Sequence, residues 1–174
     1  QHVDRMLRHR ETATGRALRA EMATLRLTDA FVQTVAGRPT TSKTRVLARG
    51  QQVVRIDEEV DSLLEGAELQ HVLDKAEEAL ADADALLLED YNKGLLAPAL
   101  IQAAMATARK RGIPVVVDPK FRQFFDYAGA TVFKPNRREM EAALGAAVDL
   151  EHRGALPDAL NRLKVDNLLL TLGA

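Results

Sequence analysis

The sequence contains no cysteine. That removes disulfides, thiolate metal sites and a cysteine nucleophile. It is poor in histidine, and His2, His9, His71 and His152 show no metal-ligand spacing. It has no charge of one sign in excess, with a formal net charge of −1, so nucleic-acid binding has no electrostatic support. It lacks an apolar run long enough to span a bilayer and lacks a signal-peptide pattern, so the expectation is a cytoplasmic protein without a membrane partner. What is present is ordinary: 174 residues, 47% hydrophobic and 28% charged, enough for one buried core. The chain opens without methionine inside a polar helical pattern and closes on the apolar run NLLLTLGA. The expectation is a piece of a longer protein, missing both ends.

Periodicity divides the chain. His2–Thr24 reads as helical, interrupted at Thr12, Thr14 and Gly15. Ala30–Gly37 alternates and is rich in β-formers, so a strand is predicted. Thr44–Glu59 reads as two strands around Arg49-Gly50-Gln51, a hairpin with Gly50 in the turn. With residues about 30–59, this block forms a flap or lid beside an α/β body of about 66–174. Glu68–Ala83 is an amphipathic helix, and Ala97–Arg111 a second that starts near Pro98 and stops at Gly112. Helices are also predicted at Arg137–Leu144 and Leu156–Leu163, and a last strand at Leu168–Leu172.

Three predicted strands carry the chemistry. DALLLEDYNKG (Asp84–Gly94), IPVVVDPK (Ile113–Lys120) and ATVFKPNRREME (Ala130–Glu141) are apolar runs that each stop in a charged or amide cluster. Strands alternating with helices make an open parallel α/β sheet, whose ligands sit beyond the carboxyl ends of the strands. All three clusters are expected to line one crevice. Asn136 and Glu139 stand three apart at a helix start and share a face. From spacing alone they read first as a helix cap, and they also suit a hydrated magnesium ion. Lys93, in a tight turn, suits a phosphate or is a solvated loop lysine. Asp118 and Lys120 flank Pro119; they orient phosphates or form a salt bridge closing a turn. Arg45 and Arg49 fall on one face by strand alternation; Lys43, Arg45, Arg49, Gln51 and Gln52 also read as a charged edge that discourages aggregation. Phe121, Phe124, Phe125 and Tyr127 lie at helix-like spacing and read as core rather than a stacking platform.

In these motifs the chain resembles the PfkB/ribokinase family of sugar kinases, and within it the branch acting on D-glycero-β-D-manno-heptose 7-phosphate. KTRVLARGQQVVRIDEE is similar to that branch's lid hairpin, EDYNKG to its D-Y-x-K-G turn, VVVDPK to its D-P-K strand end and KPNRREME to the family's N-x-x-E helix start. The likeness covers about Phe31 to Ala174. It implies a ribokinase-like α/β fold: an open, mostly parallel sheet flanked by helices, with a small β-hairpin lid. It implies ATP and Mg2+ as cofactors, with Asn136, Glu139, Asp118, Lys120, Thr171 and Gly173 toward the nucleotide and Asn136 and Glu139 toward the metal through water. Lys93, Asp90, Arg45, Arg49 and Gln51 would face the sugar phosphate, Lys93 on its 7-phosphate. Packing of the hairpin against a second copy, as a homodimer, belongs to the same resemblance.

The reaction so implied is phosphoryl transfer from ATP to the anomeric hydroxyl, giving the 1,7-bisphosphate of ADP-heptose and lipopolysaccharide biosynthesis. The family's glycine-rich G-A-G-D segment, which supplies the anion hole and the catalytic aspartate, does not occur in these residues. The base is therefore expected beyond Ala174, and the 174 residues alone are expected not to turn over. Lys134 stands where relatives usually carry an uncharged residue. Other PfkB-type kinases, acting on ribose, fructose or fructose 6-phosphate, remain open, as does an inactive nucleotide-binding remnant. A dinucleotide-binding dehydrogenase is disfavoured because no G-x-G-x-x-G follows any strand.

Overall fold

The computed structural model describes residues 12–149 and 155–172. The chain divides into two units, Gln1–Ser62 and Leu63–Ala174. The described part of the first unit holds helix α1 (Ala13–Thr24) and strands β1 (Ser42–Ala48) and β2 (Gln51–Glu58). Thr12 does not interrupt the first helix; it caps it, accepting a hydrogen bond from Gly15 N–H at 3.1 Å. The earlier part of that predicted helix, His2 to Glu11, lies outside the described residues.

The strand predicted at Ala30–Gly37 is absent. Alternation specifies a strand only where a neighbour supplies the ladder, and here the backbone closes on itself. Val32 N–H donates to Asp29 O at 2.9 Å and Arg38 N–H to Val35 O at 3.2 Å. Arg19 binds the Asp29 carboxylate at 2.7 Å and donates to Val32 O at 2.9 Å, holding the segment bent.

β1 and β2 form the expected hairpin, antiparallel from Ser42↔Glu58 to Ala48↔Gln51. Its turn places Arg49 (φ 51°) and Gly50 (φ 78°) in the left-handed region, the backbone of a type I′ turn. Arg49 therefore sits in the turn rather than on the strand, and the register shifts between Val46 and Leu47. The expectation that Arg45 and Arg49 share a strand face fails for both reasons: a bulge breaks the period of two. Every residue of β2 is exposed.

The second unit holds α2 (Gly66–Leu80), β3 (Leu86–Glu89), α3 (Pro98–Arg111), β4 (Val115–Asp118), β5 (Val132–Phe133), α4 (Arg137–Leu144) and α5 (Ala155–Leu163). The strands are parallel in the order β3-β4-β5. The predicted strand at Leu168–Leu172 continues this order as isolated parallel bridges, Phe133↔Leu168 and Asn136↔Thr171. α3 begins on Pro98 and ends at Gly112 in the left-handed conformation, as its sequence predicts. Its face Ile101, Ala104, Met105 and Ala108 recurs at helical spacing and is buried. Ile101, Met105 and Ala108 share a core with Leu88, Val115, Val117, Phe133 and Met140.

Residues 119–131, between β4 and β5, contain no helix. Bends and turns occupy the segment. Phe124 and Tyr127 are buried, packing on Phe133 at ring separations of 5.1 and 6.1 Å. The core reading holds for these two and not for Phe121 or Phe125, which are exposed. Arg162 lies over the Phe125 ring at 4.8 Å.

Candidate functional site

Parallel pairing brings the carboxyl ends of β3 and β4 side by side, with Glu89 in register with Asp118. β5 then delivers Lys134, whose N–H donates to Val117 O at 2.8 Å. Register and ion pairs bring Glu89, Asp118, Lys120, Lys134 and the start of α4 together.

Their pairing differs from the expected one. Asp118 and Lys120 do not close a salt bridge across Pro119. Asp118 instead meets Lys134 Nζ at 2.7 Å, and Lys120 meets Glu139 Oε1. Buried Pro119 separates the two residues, so each is presented to the neighbouring element rather than to the other. Lys134 had no role in the sequence reading. Its signal was a lysine between apolar Phe133 and Pro135 at a strand end, both of which are fully buried.

Asn136 is the N-cap of α4 and Glu139 its third residue. Glu139 N–H donates to Asn136 Oδ1 and Asn136 N–H donates to Glu139 Oε2, each at 2.9 Å. The capping box and the Lys120 contact therefore coexist, and both Glu139 oxygens are engaged. The hydrogen bond from Lys120 to Glu139 raises the Lys120 pKa above its ordinary value, against the opposing effect of burial. Thr171 is tied to the same helix start. Its N–H donates to Pro135 O at 3.0 Å, and its own carbonyl accepts from Arg137 N–H at 2.9 Å. Gly173 lies outside the described residues.

At the end of β3, Tyr91 is exposed and its hydroxyl donates to Glu89 at 2.9 Å. That bond, with the charge of Glu89 and then Asp118, raises the Tyr91 pKa, and Lys120 opposes it. Asp90, by contrast, is buried. Its Oδ1 accepts from Asn92 N–H at 2.6 Å and its Oδ2 from Tyr127 Oη–H at 3.2 Å. The resemblance puts Asp90 toward the sugar phosphate; the side-chain hydrogen bonds it makes here go to the turn and to Tyr127. Lys93 follows in the turn and is half-buried.

Arg45, Arg49 and Gln51 are exposed on the hairpin of the first unit. There Lys43 binds Asp57 at 3.2 Å and Glu59 at 3.0 Å, and Arg55 binds Asp57 at 2.9 Å.

Among the described residues, no three His, Cys, Asp or Glu side chains are grouped as a metal cage. Asn136 and Glu139 offer hard oxygens already engaged in the cap. That donor set fits a hydrated magnesium ion held through water, and not one stripped of its shell.

The model of the pfkB family of carbohydrate kinases matches residues 12–174. The chain belongs to this family. Among curated PfkB relatives, it is 51% identical over 110 residues to the bifunctional protein HldE of Azorhizobium caulinodans, covering 63% of this chain and 23% of that protein. It is 44% identical over 136 residues to the bifunctional protein HldE of Citrifermentans bemidjiense, covering 77% and 28%. The chain thus spans about a quarter of the length of these relatives. In fold it is similar to phosphofructokinase-2 from Escherichia coli in complex with potassium, at a TM-score of 0.68 and 20% identity over 93% of this chain and 53% of that one. It is also similar to 2-dehydro-3-deoxygluconokinase from Thermotoga maritima, at 0.65 and 16% over 93% and 55%. These PfkB neighbours bear out the ribokinase-like α/β fold. No helix among the described residues is long and apolar enough to cross a membrane.

Proposed function

We propose that the full-length protein is an ATP-dependent kinase that phosphorylates the anomeric hydroxyl of D-glycero-β-D-manno-heptose 7-phosphate, giving the 1,7-bisphosphate. The observation that carries the kinase reading is the convergence of two lysine–carboxylate pairs on the capped start of α4, beyond the ends of parallel strands. The choice of acceptor is supported by the Arg45–Gln52 and Asp90–Gly94 motifs and by the likeness to HldE proteins.

In this reading Lys120 and Lys134 are the cations that meet nucleotide phosphates, each leaving its carboxylate as the anion arrives. Asn136 and Glu139 hold the water shell of Mg2+, which when bound neutralises phosphate charge. Lys93 takes the acceptor's own phosphate as a point cation. The proton of the anomeric hydroxyl goes to an aspartate outside these 174 residues. What these residues contribute is position and electrostatics.

The test is ADP formation by the full-length protein against a panel of heptose 7-phosphate, fructose 6-phosphate, fructose and ribose, with 31P NMR of the product. A new anomeric phosphate on the heptose alone is the expected result. Preference for another sugar overturns the acceptor, and no transfer to any of them overturns the kinase.

A further inference from the structure

The turn that carries Lys93 is held in an unfavourable conformation. Asn92 lies in the left-handed region at φ 52°, and Gly94 follows at φ 79°. The two polar atoms of the Asn92 side chain, Oδ1 and Nδ2, are buried without a hydrogen-bond partner. Each such group costs about 1–3 kcal/mol. A turn of this kind persists only where its surroundings over-determine it.

Two anchors do so. At one end, Gly94 O accepts from Leu64 N–H at 3.0 Å. At the other, Asp90 Oδ1 accepts from Asn92 N–H at 2.6 Å, a short side-chain-to-backbone bond that closes the turn. Asp90 is itself fixed twice. Its N–H extends the sheet by donating to Asp118 O at 2.9 Å, and its Oδ2 accepts from Tyr127. Asp90 is 5% exposed and Tyr127 1% exposed, so water does not substitute for either partner. Burial first, then the Asp90 charge, pushes the Tyr127 hydroxyl far above its ordinary pKa, so it remains a donor. The side-chain hydrogen bonds to Asp90 come from neutral donors, Asn92 N–H and the Tyr127 hydroxyl, and a core built for stability alone would carry phenylalanine at 127 and an apolar residue at 90.

We infer that Tyr127 is a positioning residue for the Lys93 turn, acting from the core through the buried Asp90 carboxylate. This rests on the reading that Lys93 receives the acceptor's phosphate. The hydroxyl sits in the irregular segment between β4 and β5, so the segment that brings Lys120 to the nucleotide side also sets the acceptor side.

The experiment uses the full-length protein and the variants Tyr127→Phe, Asp90→Asn and Lys93→Met. Tyr127→Phe is expected to raise the KM for the acceptor about 5- to 20-fold while the KM for ATP and kcat stay within about twofold. Lys93→Met should raise the same KM by more. Amide hydrogen exchange at residues 91–94 should speed up at least about tenfold in Tyr127→Phe, with α3 unchanged. Asp90→Asn, which keeps an acceptor oxygen, should show the same pattern more weakly and stands in if Tyr127→Phe does not fold. An acceptor KM unmoved by Tyr127→Phe, or moved equally with that for ATP, while Lys93→Met raises it, overturns the inference and leaves the kinase reading intact. If Lys93→Met leaves the acceptor KM unchanged, the phosphate role of Lys93 fails. The exchange rates then decide: faster exchange confined to 91–94 supports the hold by Tyr127, and unchanged exchange overturns it.

Discussion

The hairpin and the strand-end cluster use the same residue types to opposite effect. On the hairpin, Lys43, Arg55, Asp57 and Glu59 pair on a two-stranded ribbon whose second strand is exposed along its whole length. At the strand ends, Lys120 and Glu139 pair where Glu139 is already bound by backbone at the α4 cap. The first set follows side chains that water solvates freely, so its geometry is one of many. The second is fixed by backbone, because parallel register, a buried proline and a capping box each dictate where a charge sits. A salt bridge counts as part of a site when the backbone around it leaves little choice.

Substitutions can test that contrast. The largest effect is expected from Glu139→Ala in the full-length protein. It removes the Glu139 half of the capping box, leaving the Asn136 N-cap in place, and strands Lys120. Turnover with Mg·ATP should fall about 100-fold or more. Turnover within threefold of the parent would remove Glu139 from the nucleotide site. Lys120→Met should come next, weakening Mg·ATP binding about tenfold by calorimetry, as expected for loss of one charge-assisted contact.

The pH dependence of stability follows from the same pair. The folded-state pKa of Lys120 is raised above 10.5. Its contribution is therefore fully present below that value and is lost as pH climbs through the raised one. The stability difference between the parent and Lys120→Met should shrink above about pH 10.5 in urea titrations. Glu141 runs the other way. Arg137 and then the Val148 N–H hold its pKa below 4.5, so its contribution is present above that value and lost as pH falls beneath it. Glu141→Gln should flatten the acid limb of the same titration.

The hairpin should respond least. Arg49→Gly removes a side chain from a left-handed position, and amide protection of β1 and β2 should rise by a factor of about 2 to 5, equivalent to under 1 kcal/mol. Lys43→Ala should leave the urea midpoint unmoved. A large loss there would mean that the exposed pairs are organised after all.

Much of this was legible in advance. Pro98 and Gly112 bracket α3 in the sequence as they do in the structure. Asn136 and Glu139 announced a cap, and the cap is there. These signals are local: one residue's backbone preference decides them. The failures are non-local. Ala30–Gly37 had the alternation of a strand but pairs with no strand among the described residues, while Arg19 from α1 supplied the competing bonds. Asp118 and Lys120 are two apart and looked like partners. The parallel register, which no single segment encodes, gave each a different one. Tyr127 reads as core by spacing and is core; only the fold reveals that its hydroxyl reaches Asp90, 37 positions earlier.

The pairing of both lysines at rest also bears on how an anion finds them. A paired ammonium has a field that falls off faster with distance than that of an isolated one, which would reach across a Debye length of about 8–10 Å. Under the proposed nucleotide role, a triphosphate would be drawn to the strand ends mainly at contact, by exchange of partners. Capture of this kind proceeds at an ordinary diffusional rate and depends weakly on added salt. Discrimination would then lie in which anions can displace a carboxylate that a helix start and a lysine both already hold.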